Sequence, residues 1–266
     1  MTLEAARDSW GMHAMISFHG ETNVGQHRSL NEDAIFASGR LFIVCDGMGG
    51  HKAGEVASLL AIDVIAAFSK RSAEDTEITW PHGFVTRVSL DGNRLRTAIK
   101  LANRTVFCKS VSSEDYTGMG TTVAAMLVAP TRHQMTYATV GDSRIYLLRG
   151  SVILQLSHDD SWANLAGGEA DSVDETAKTA MQHVLTKALG AREDVDVEVK
   201  SQELSDGDIV LLCSDGLTNM LPDRRILEIV SAHGADLEGA CRALVSEANA
   251  QGGRDNISAI LVRHTT

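Results

Sequence analysis

Proline is scarce in this chain: there are only three among 266 residues. No proline-rich or glycine–serine linker divides the sequence, and it contains no repeat and no low-complexity tract. Because domain boundaries usually fall in such linkers, we expect one domain over residues 18–264, preceded by an N-terminal extension of residues 1–17. A chain of this length can build a substantial hydrophobic core.

Basic residues are outnumbered by acidic ones, 24 against 35, which gives a formal net charge of −11. Nucleic-acid binding depends largely on a basic surface that neutralises phosphates. We therefore expect no nucleic-acid partner. An anionic substrate stays compatible with this composition, since bound cations would invert the local field.

Closely spaced cysteines and long apolar runs are also lacking. The four cysteines (Cys45, Cys108, Cys213 and Cys241) show no C-x-x-C spacing, which favours reduced thiols in the cytosol over a disulfide framework. The longest apolar runs, such as residues 123–130, fall far short of the roughly 20 residues that a membrane-spanning helix requires. Residues 1–17 lack the pattern of a secretory signal. We expect a cytoplasmic protein with no membrane partner.

Hydrophobic periodicity predicts strands and long helices in an order that excludes regular βαβ alternation. Strands are predicted at residues 14–19, 34–37, 41–45, 121–128, 134–140, 144–148, 195–204, 209–213 and 257–262. Helices are predicted at about 53–70, 92–112, 223–233 and 237–250, with mixed helix and loop over 157–194. Paired helices and consecutive strands suit sheets that pack together with helices on the outside.

Four aspartates stand at the ends of apolar strand-like runs. Asp46, Asp142 and Asp215 each follow such a run, and Asp255 stands just before the last one. If these strands share a core, the carboxylates can converge, and their repulsion would raise their pKa values unless cations neutralise them. Oxygen ligands suit Mg²⁺ or Mn²⁺ rather than zinc or copper. Turn formation by Asp-Gly explains any one of these sites, but the four together favour a metal site.

Seven motifs follow one another along residues 18–262. They read RSLNED from Arg28, VCDGMGGHKAGE from Val44, GMGTT from Gly118, VGDSR from Val140, VLTKALG from Val184, CSDGL from Cys213 and DNIS from Asp255. In sequence and order they resemble the motifs of the protein phosphatase 2C family, the metal-dependent serine/threonine phosphatases, in their bacterial form. The resemblance implies an α+β fold in which two packed antiparallel sheets are flanked by pairs of helices, with a flap at about 157–194.

The resemblance also implies a set of metal ligands for Mn²⁺ or Mg²⁺. Two core ions would share Asp46, one of them would bind the Gly47 carbonyl, and Asp215 and Asp255 would bind the other. Asp142, together with Asp215, would help to hold a third, weaker ion. Asp142 has a plainer alternative as a turn residue whose carboxylate caps local backbone N–H groups.

Five further residues receive roles from the same motifs. Glu32, Asp33 and Asn256 would lie in an outer shell around the ions, where Glu32 and Asp33 orient bound water. Arg28 would clamp the substrate phosphate, since a planar guanidinium can bind two phosphate oxygens at once. His51 would be the general acid that protonates the leaving alkoxide, a task that suits the pKa of imidazole.

The implied function is hydrolysis of phosphoserine and phosphothreonine in proteins by attack of a metal-bridging water or hydroxide. The implied partners are phosphorylated proteins, namely a serine/threonine kinase and its substrates. A non-catalytic regulatory domain is one alternative, although every expected ligand position is filled. A metal phosphohydrolase for small molecules is a second alternative, and the sequence excludes it less firmly.

The chain departs from the family pattern at two positions. Asp160 stands where the family often has histidine, and Lys187 replaces a common arginine. Both lie in or beside the flap, so they bear on substrate preference more than on the acidic residues.

Overall fold

The computed structural model describes residues 15–49, 53–75, 77–129, 133–162 and 185–266. Within these ranges the strands are β1 (Met15–Asn23), β2 (Asp33–Ser38), β3 (Leu41–Met48), β4 (Gly120–Thr121), β5 (Val123–Ala129), β6 (Gln134–Val140), β7 (Arg144–Arg149), β8 (Val152–Gln155), β9 (Lys200–Glu203), β10 (Ile209–Cys213) and β11 (Ile257–Thr265). The helices are α1 (Ala53–Glu74), α2 (Leu90–Ser110), α3 (Asp215–Thr218), α4 (Asp223–His233) and α5 (Leu237–Ala250).

The strands form two antiparallel sheets. The first has the order β1-β11-β10-β7-β8, and the second has the order β2-β3-β5-β6-β9, with β4 paired to β3. The register of the second sheet places Asp33 of β2 opposite Asp46 of β3. The register of the first places Cys213, at the end of β10, between Ala259 and Arg144. These pairings bring the ends of β3, β6 and β10 and the start of β11 to one edge of the molecule.

The hydrophobic core has three layers, which follow from the two faces of each sheet. Side chains such as Phe42, Met126 and Ile260 fill the space between the sheets. The outer face of the second sheet packs under α1 and α2, and the outer face of the first packs under α4 and α5. This arrangement confirms the predicted α+β sandwich with a helix pair on each side.

Three local predictions from the sequence were inaccurate. Strand β3 continues through Asp46 to Met48, so this aspartate lies within a strand rather than after it. Strand β8 was missed because it is short; it forms a hairpin with β7 in which Gly150 adopts a φ of 58°. The predicted strand 195–204 is limited to β9, because Val195 and Val197 pack instead into the core beneath α1 and α2.

Two predicted regions lie in part outside the described residues. Of the flap at about 157–194, the structure describes 157–162 and 185–194. Of the N-terminal extension, it describes residues 15–17, which belong to β1. No helix in the described ranges combines the length and the apolar character needed to cross a lipid bilayer.

The layer between the sheets yields a prediction about stability. Phe42 has no exposed surface and contacts Phe18 edge to face at 5.1 Å between ring centroids. We expect Phe42→Ala to lower the free energy of unfolding by about 3–5 kcal/mol, since it leaves a cavity that the sheets cannot close. Leu154→Ala, at a leucine with 53% exposure, is the matched control and should change it by less than about 0.5 kcal/mol. Urea unfolding measures both variants, and equal effects would contradict this account of the core.

Candidate active site

The backbone of Asp46 is fixed from both sides by two threonines. Its N–H donates to Thr122 Oγ1 at 2.9 Å. Its carbonyl accepts from the Thr122 N–H and from Thr121 Oγ1, each at 2.9 Å. Thr122 Oγ1 also lies 2.7 Å from Ser143 Oγ, which follows Asp142 in the next loop. These contacts are all made by the backbone of Asp46, so they leave its carboxylate available to bind a metal ion.

Asp33 is a buried carboxylate directly across the sheet from Asp46. Its Oδ2 accepts hydrogen bonds from Ser214 Oγ at 2.8 Å and from Ser258 Oγ at 2.7 Å. Its Oδ1 is buried and has no hydrogen-bond partner within the described residues. Burial raises the pKa of Asp33 to about 7; the two serine hydrogen bonds oppose the shift, and the charges of Asp215 and Asp255 add to it.

Three further aspartates lie at this edge of the sandwich. Asp215 begins α3, and Asn219 Nδ2 donates to its Oδ2 at 3.0 Å. Asp255 precedes β11 and accepts a hydrogen bond from Arg28 Nη2 at 2.8 Å. Asp142 lies between β6 and β7, where burial and then the charge of Asp215 raise its pKa to about 7.

These carboxylates repel one another across the site. Burial raises the pKa of Asp46 well above its ordinary value, and the charges of Asp33, Asp215, Asp255 and Asp142 raise it further. The structure therefore brings the four aspartates of the strand-end pattern together, with Asp33 as a fifth acid among them.

Asn256 fastens the loop that carries Arg28 and Glu32. Its Nδ2 donates to the carbonyls of Val24 and Leu30, both at 2.9 Å, and its Oδ1 accepts from the Glu32 N–H at 2.7 Å. Three hydrogen bonds from one buried side chain thus tie residues 24–32 to the start of β11. The outer-shell position of Asn256 stays a prediction; its side-chain contacts are with the backbone of this loop.

Glu32 contributes a second buried oxygen to the site. Its Oε1 has no hydrogen-bond partner among the described residues, and burial raises the pKa of the carboxyl, while the charge of Arg28 lowers it. Its carbonyl accepts from the Gly47 N–H at 3.2 Å and from Ser58 Oγ at 2.6 Å. A Cβ on Gly47 would overlap the carbonyl of Gly54, so only glycine allows β3 and α1 to approach this closely.

The donor atoms fit a hard divalent cation. They are carboxylate oxygens, two of them buried without a hydrogen-bond partner among the described residues, and positive charge would relieve their mutual repulsion. In the part of the chain that is described, no three His, Cys, Asp or Glu side chains form a ready-made ligand set. An ion here would therefore complete its coordination with a backbone carbonyl and water, which Mg²⁺ and Mn²⁺ accept and zinc sites seldom need.

Sequence reasoning missed the residues that support the acids. Thr121 and Thr122 fix Asp46, and Ser214 and Ser258 bind Asp33, yet none of the four was assigned a role. The signal was present, because each lies inside one of the seven motifs. His51, the predicted general acid, lies outside the described residues.

A two-sheet sandwich with converging carboxylates and an adjacent arginine has the chemistry of a metal-dependent phosphate-ester hydrolase. The model of the protein phosphatase 2C family matches residues 24–261. The serine/threonine phosphatase stp of Listeria monocytogenes is 35% identical over 258 residues, covering 93% of this chain and 91% of that protein.

Solved structures agree with the family match. A crystal structure of the Mycobacterium tuberculosis serine/threonine phosphatase PstP/Ppp has a TM-score of 0.78 and 29% identity, covering 94% of this chain and 99% of that one. The catalytic domain of the phosphatase PstP, in complex with two manganese ions, has a TM-score of 0.78 and 30% identity, covering 95% and 100%. This chain belongs to the protein phosphatase 2C family. The predicted family is confirmed, and so is the prediction that the chain is an enzyme, a serine/threonine protein phosphatase.

The raised pKa values predict how the metal-free protein responds to pH. Asp33 and Asp142 titrate at about 7 when folded, against about 4 in an unfolded chain. Their contribution to stability is complete below the unfolded pKa and is lost as the pH rises through 7, because the folded state must then ionise buried carboxylates. In EDTA we expect the unfolding temperature to decrease as the pH is raised from about 5 to about 8.

Added Mn²⁺ should raise the unfolding temperature most at the upper end of this range, where the carboxylates it binds are ionised. Asp142→Asn is the control: in EDTA it should unfold at a higher temperature than the unaltered chain at about pH 8, with a shallower pH dependence. Differential scanning calorimetry measures both proteins. The prediction would be contradicted if the unaltered protein in EDTA were as stable at about pH 8 as at about pH 5.

Proposed function

We propose that this phosphatase hydrolyses phosphoserine and phosphothreonine in cytoplasmic proteins, with two divalent cations bound at the acidic edge. The observation that carries the proposal is the convergence of Asp46, Asp142, Asp215 and Asp255 around the buried Asp33, with Arg28 beside them. Two manganese ions in the similar PstP catalytic domain support the number of ions. The match over residues 24–261 supports a single phosphatase domain.

The ligands would divide between the two ions. Asp46 would contact both, the Gly47 carbonyl would bind one, and Asp215 and Asp255 would bind the other. Asp142 would help to hold a third, weaker ion. When bound, the cations supply positive charge against the phosphate oxygens and lower the pKa of water between them. Glu32 and Asp33, each with a buried oxygen facing no donor in the described part, would accept hydrogen bonds from water at the site.

Arg28 would bind the phosphate of the substrate. Its side chain is 49% exposed, and its one hydrogen-bond partner within the described ranges is Asp255. The contact keeps the guanidinium beside the ligands, and its remaining N–H groups can pair with two phosphate oxygens in fork geometry. The hydrogen bond to Asp255 raises the pKa of Arg28 further, so the group stays charged. Arg28 thus neutralises and orients the phosphate for in-line attack.

His51 would donate a proton to the serine or threonine oxygen as the P–O bond breaks. Support for this role comes from its motif, D-G-M-G-G-H, which begins at Asp46. The aspartates leave the protonation of the leaving group to another residue, because carboxylates bound to cations are ionised and have no proton to give.

Protein substrates are favoured over small phosphate esters by the relatives, which are protein serine/threonine phosphatases. The physiological partners would be a serine/threonine kinase and the proteins it phosphorylates. A small-molecule phosphohydrolase would need the same ions and the same arginine, so the two functions separate only by substrate. Comparing phosphopeptides with phosphorylated metabolites at equal concentration makes that distinction.

Turnover is expected to depend strictly on a divalent cation. Purified protein should release phosphate from a phosphothreonine peptide with Mn²⁺ or Mg²⁺ and stop when EDTA is added. Asp46→Asn should remove most of the turnover, since a neutral amide is a poor substitute for a shared carboxylate. Phosphate release measures this, and Asp196→Asn, at an exposed acid on the 190–199 segment, is the control. Activity that survives exhaustive chelation would contradict the two-ion proposal.

His51→Ala should slow poor leaving groups far more than good ones. Alkoxides of serine and threonine need a proton as they leave, whereas p-nitrophenolate does not. General acid catalysis typically contributes about 10²–10⁴-fold, so the ratio of phosphopeptide to p-nitrophenyl phosphate turnover should fall by up to that factor.

Asp46→Asn and Asp215→Asn serve as controls for His51→Ala and should depress both substrates alike, since both substrates need the same ions. The ratio cancels errors in protein concentration. Equal slowing of both substrates by His51→Ala, or no slowing of either, would remove the acid assignment.

A further inference from the structure

The two departures from the family pattern contact each other. Lys187 Nζ lies 3.1 Å from Asp160 Oδ1, although 27 positions separate the residues in sequence. The Asp160 side chain is 19% exposed and that of Lys187 is 48% exposed. The pair lies at the point where the described chain on either side of residues 163–184 comes together, since Ser161 and Leu185 form an isolated antiparallel bridge.

Asp160 also holds the turn that carries Asp142. Its Oδ2 accepts from the Gly141 N–H at 3.2 Å, and its own N–H donates to the Gly141 carbonyl at 2.9 Å. Gly141 has a φ of 102°, and a Cβ there would overlap the side chain of Thr122. The turn therefore has to be glycine, the residue with the greatest backbone freedom. Both polar groups of that flexible residue are bound by Asp160.

Residues 185–190, which we call the return segment, connect this turn to the support of Asp46. At one end the Thr186 N–H donates to the Asp160 carbonyl at 2.8 Å. At the other, Leu189 and Thr121 exchange two backbone hydrogen bonds of 2.8 and 3.0 Å. Thr121 is the residue whose hydroxyl binds the Asp46 carbonyl. One short segment thus contacts the supports of two proposed metal ligands.

We propose that the Lys187–Asp160 ion pair positions the Gly141–Asp142 turn, and that it thereby strengthens the binding of a divalent cation by the Asp142 carboxylate. The inference rests on the proposed function, because it takes Asp142 to be a ligand. The physical reason is that one carboxylate oxygen of Asp160 accepts the hydrogen bond from Gly141, and the other oxygen requires a partner of its own. Lys187 supplies that partner from the return segment, so the orientation of the carboxylate is fixed at both oxygens.

The test is direct Mn²⁺ binding, followed by the electron paramagnetic resonance signal of the free ion during a titration. In the unaltered protein this counts the ions bound per chain. Asp142→Asn identifies the binding event that depends on its carboxylate. Lys187→Met should weaken that same event by about two- to five-fold, the range of a partly exposed ion pair, and leave the tighter events unchanged.

Variants of the pair separate positioning from general stability. Lys187→Arg keeps the charge and should restore binding to that of the unaltered protein. The double variant Asp160→Asn with Lys187→Met should bind Mn²⁺ no more weakly than Asp160→Asn alone, because the two residues act as one unit. At about 1 M salt the difference between Lys187→Met and the unaltered protein should shrink, since the half-exposed charge is screened.

Lys200→Met is the matched control. Lys200 pairs with Glu198 at 3.2 Å and is 42% exposed. It lines the same surface cavity of about 420 Å³ as Asp160 and Lys187. Neither Lys200 nor Glu198 has a hydrogen bond to Gly141 within the described ranges, so this variant should bind Mn²⁺ like the unaltered protein.

Three results would overturn the inference while leaving the proposed function intact. The first is Mn²⁺ binding by Lys187→Met that equals that of the unaltered protein. The second is an equal loss of binding in Lys187→Met and Lys200→Met. The third is an equal weakening of every binding event in Lys187→Met together with a lower unfolding temperature. An unaltered protein that binds no Mn²⁺ would end both proposals, and that result is read before any variant is compared.

Discussion

The repulsion among buried carboxylates at one edge of the sandwich is the constraint on which the site depends. Asp33 and Asp142 titrate at about 7, and the pKa of Asp46 is higher than normal because burial and four neighbouring acids act together. A cluster of this kind opposes folding at neutral pH unless positive charge enters it. The described part of the protein brings one arginine, Arg28, into hydrogen-bond contact with these acids. Divalent cations would supply the rest, so we expect metal binding and stability to be linked in this chain.

The scaffold tolerates the cluster by binding backbone atoms and leaving carboxylate oxygens available. Thr121 and Thr122 hold Asp46 through its N–H and carbonyl. Asn256 does the same for the loop of Glu32. Side chains held in this way would already be oriented before an ion arrives, so little reorganisation would be required when it binds. This arrangement costs stability, because one buried oxygen of Glu32 and one of Asp33 have no hydrogen-bond partner among the described residues.

Backbone hydrogen bonds also join the flap region to the site. The return segment bonds to Thr121 on one side and to Asp160 on the other. Thr121 donates a hydrogen bond to Asp46, and Asp160 is hydrogen-bonded to Gly141, the residue before Asp142. Movement of residues 185–190 would therefore shift the hydrogen-bonded supports of Asp46 and Asp142 together.

Local pattern in the sequence determined most of the elements. The predicted ranges 134–140, 209–213, 223–233 and 237–250 coincide with β6, β10, α4 and α5, because each is a periodic apolar run with polar residues or turns at its ends. The sequence also predicted that Asp46, Asp142, Asp215 and Asp255 converge, and through its motifs it predicted the family. Only the tertiary structure placed Asp33 opposite Asp46, turned Val195 and Val197 toward the helices, and paired Lys187 with Asp160. Those contacts join residues far apart in the chain, so they depend on strand register and on how the layers pack, neither of which a local pattern contains.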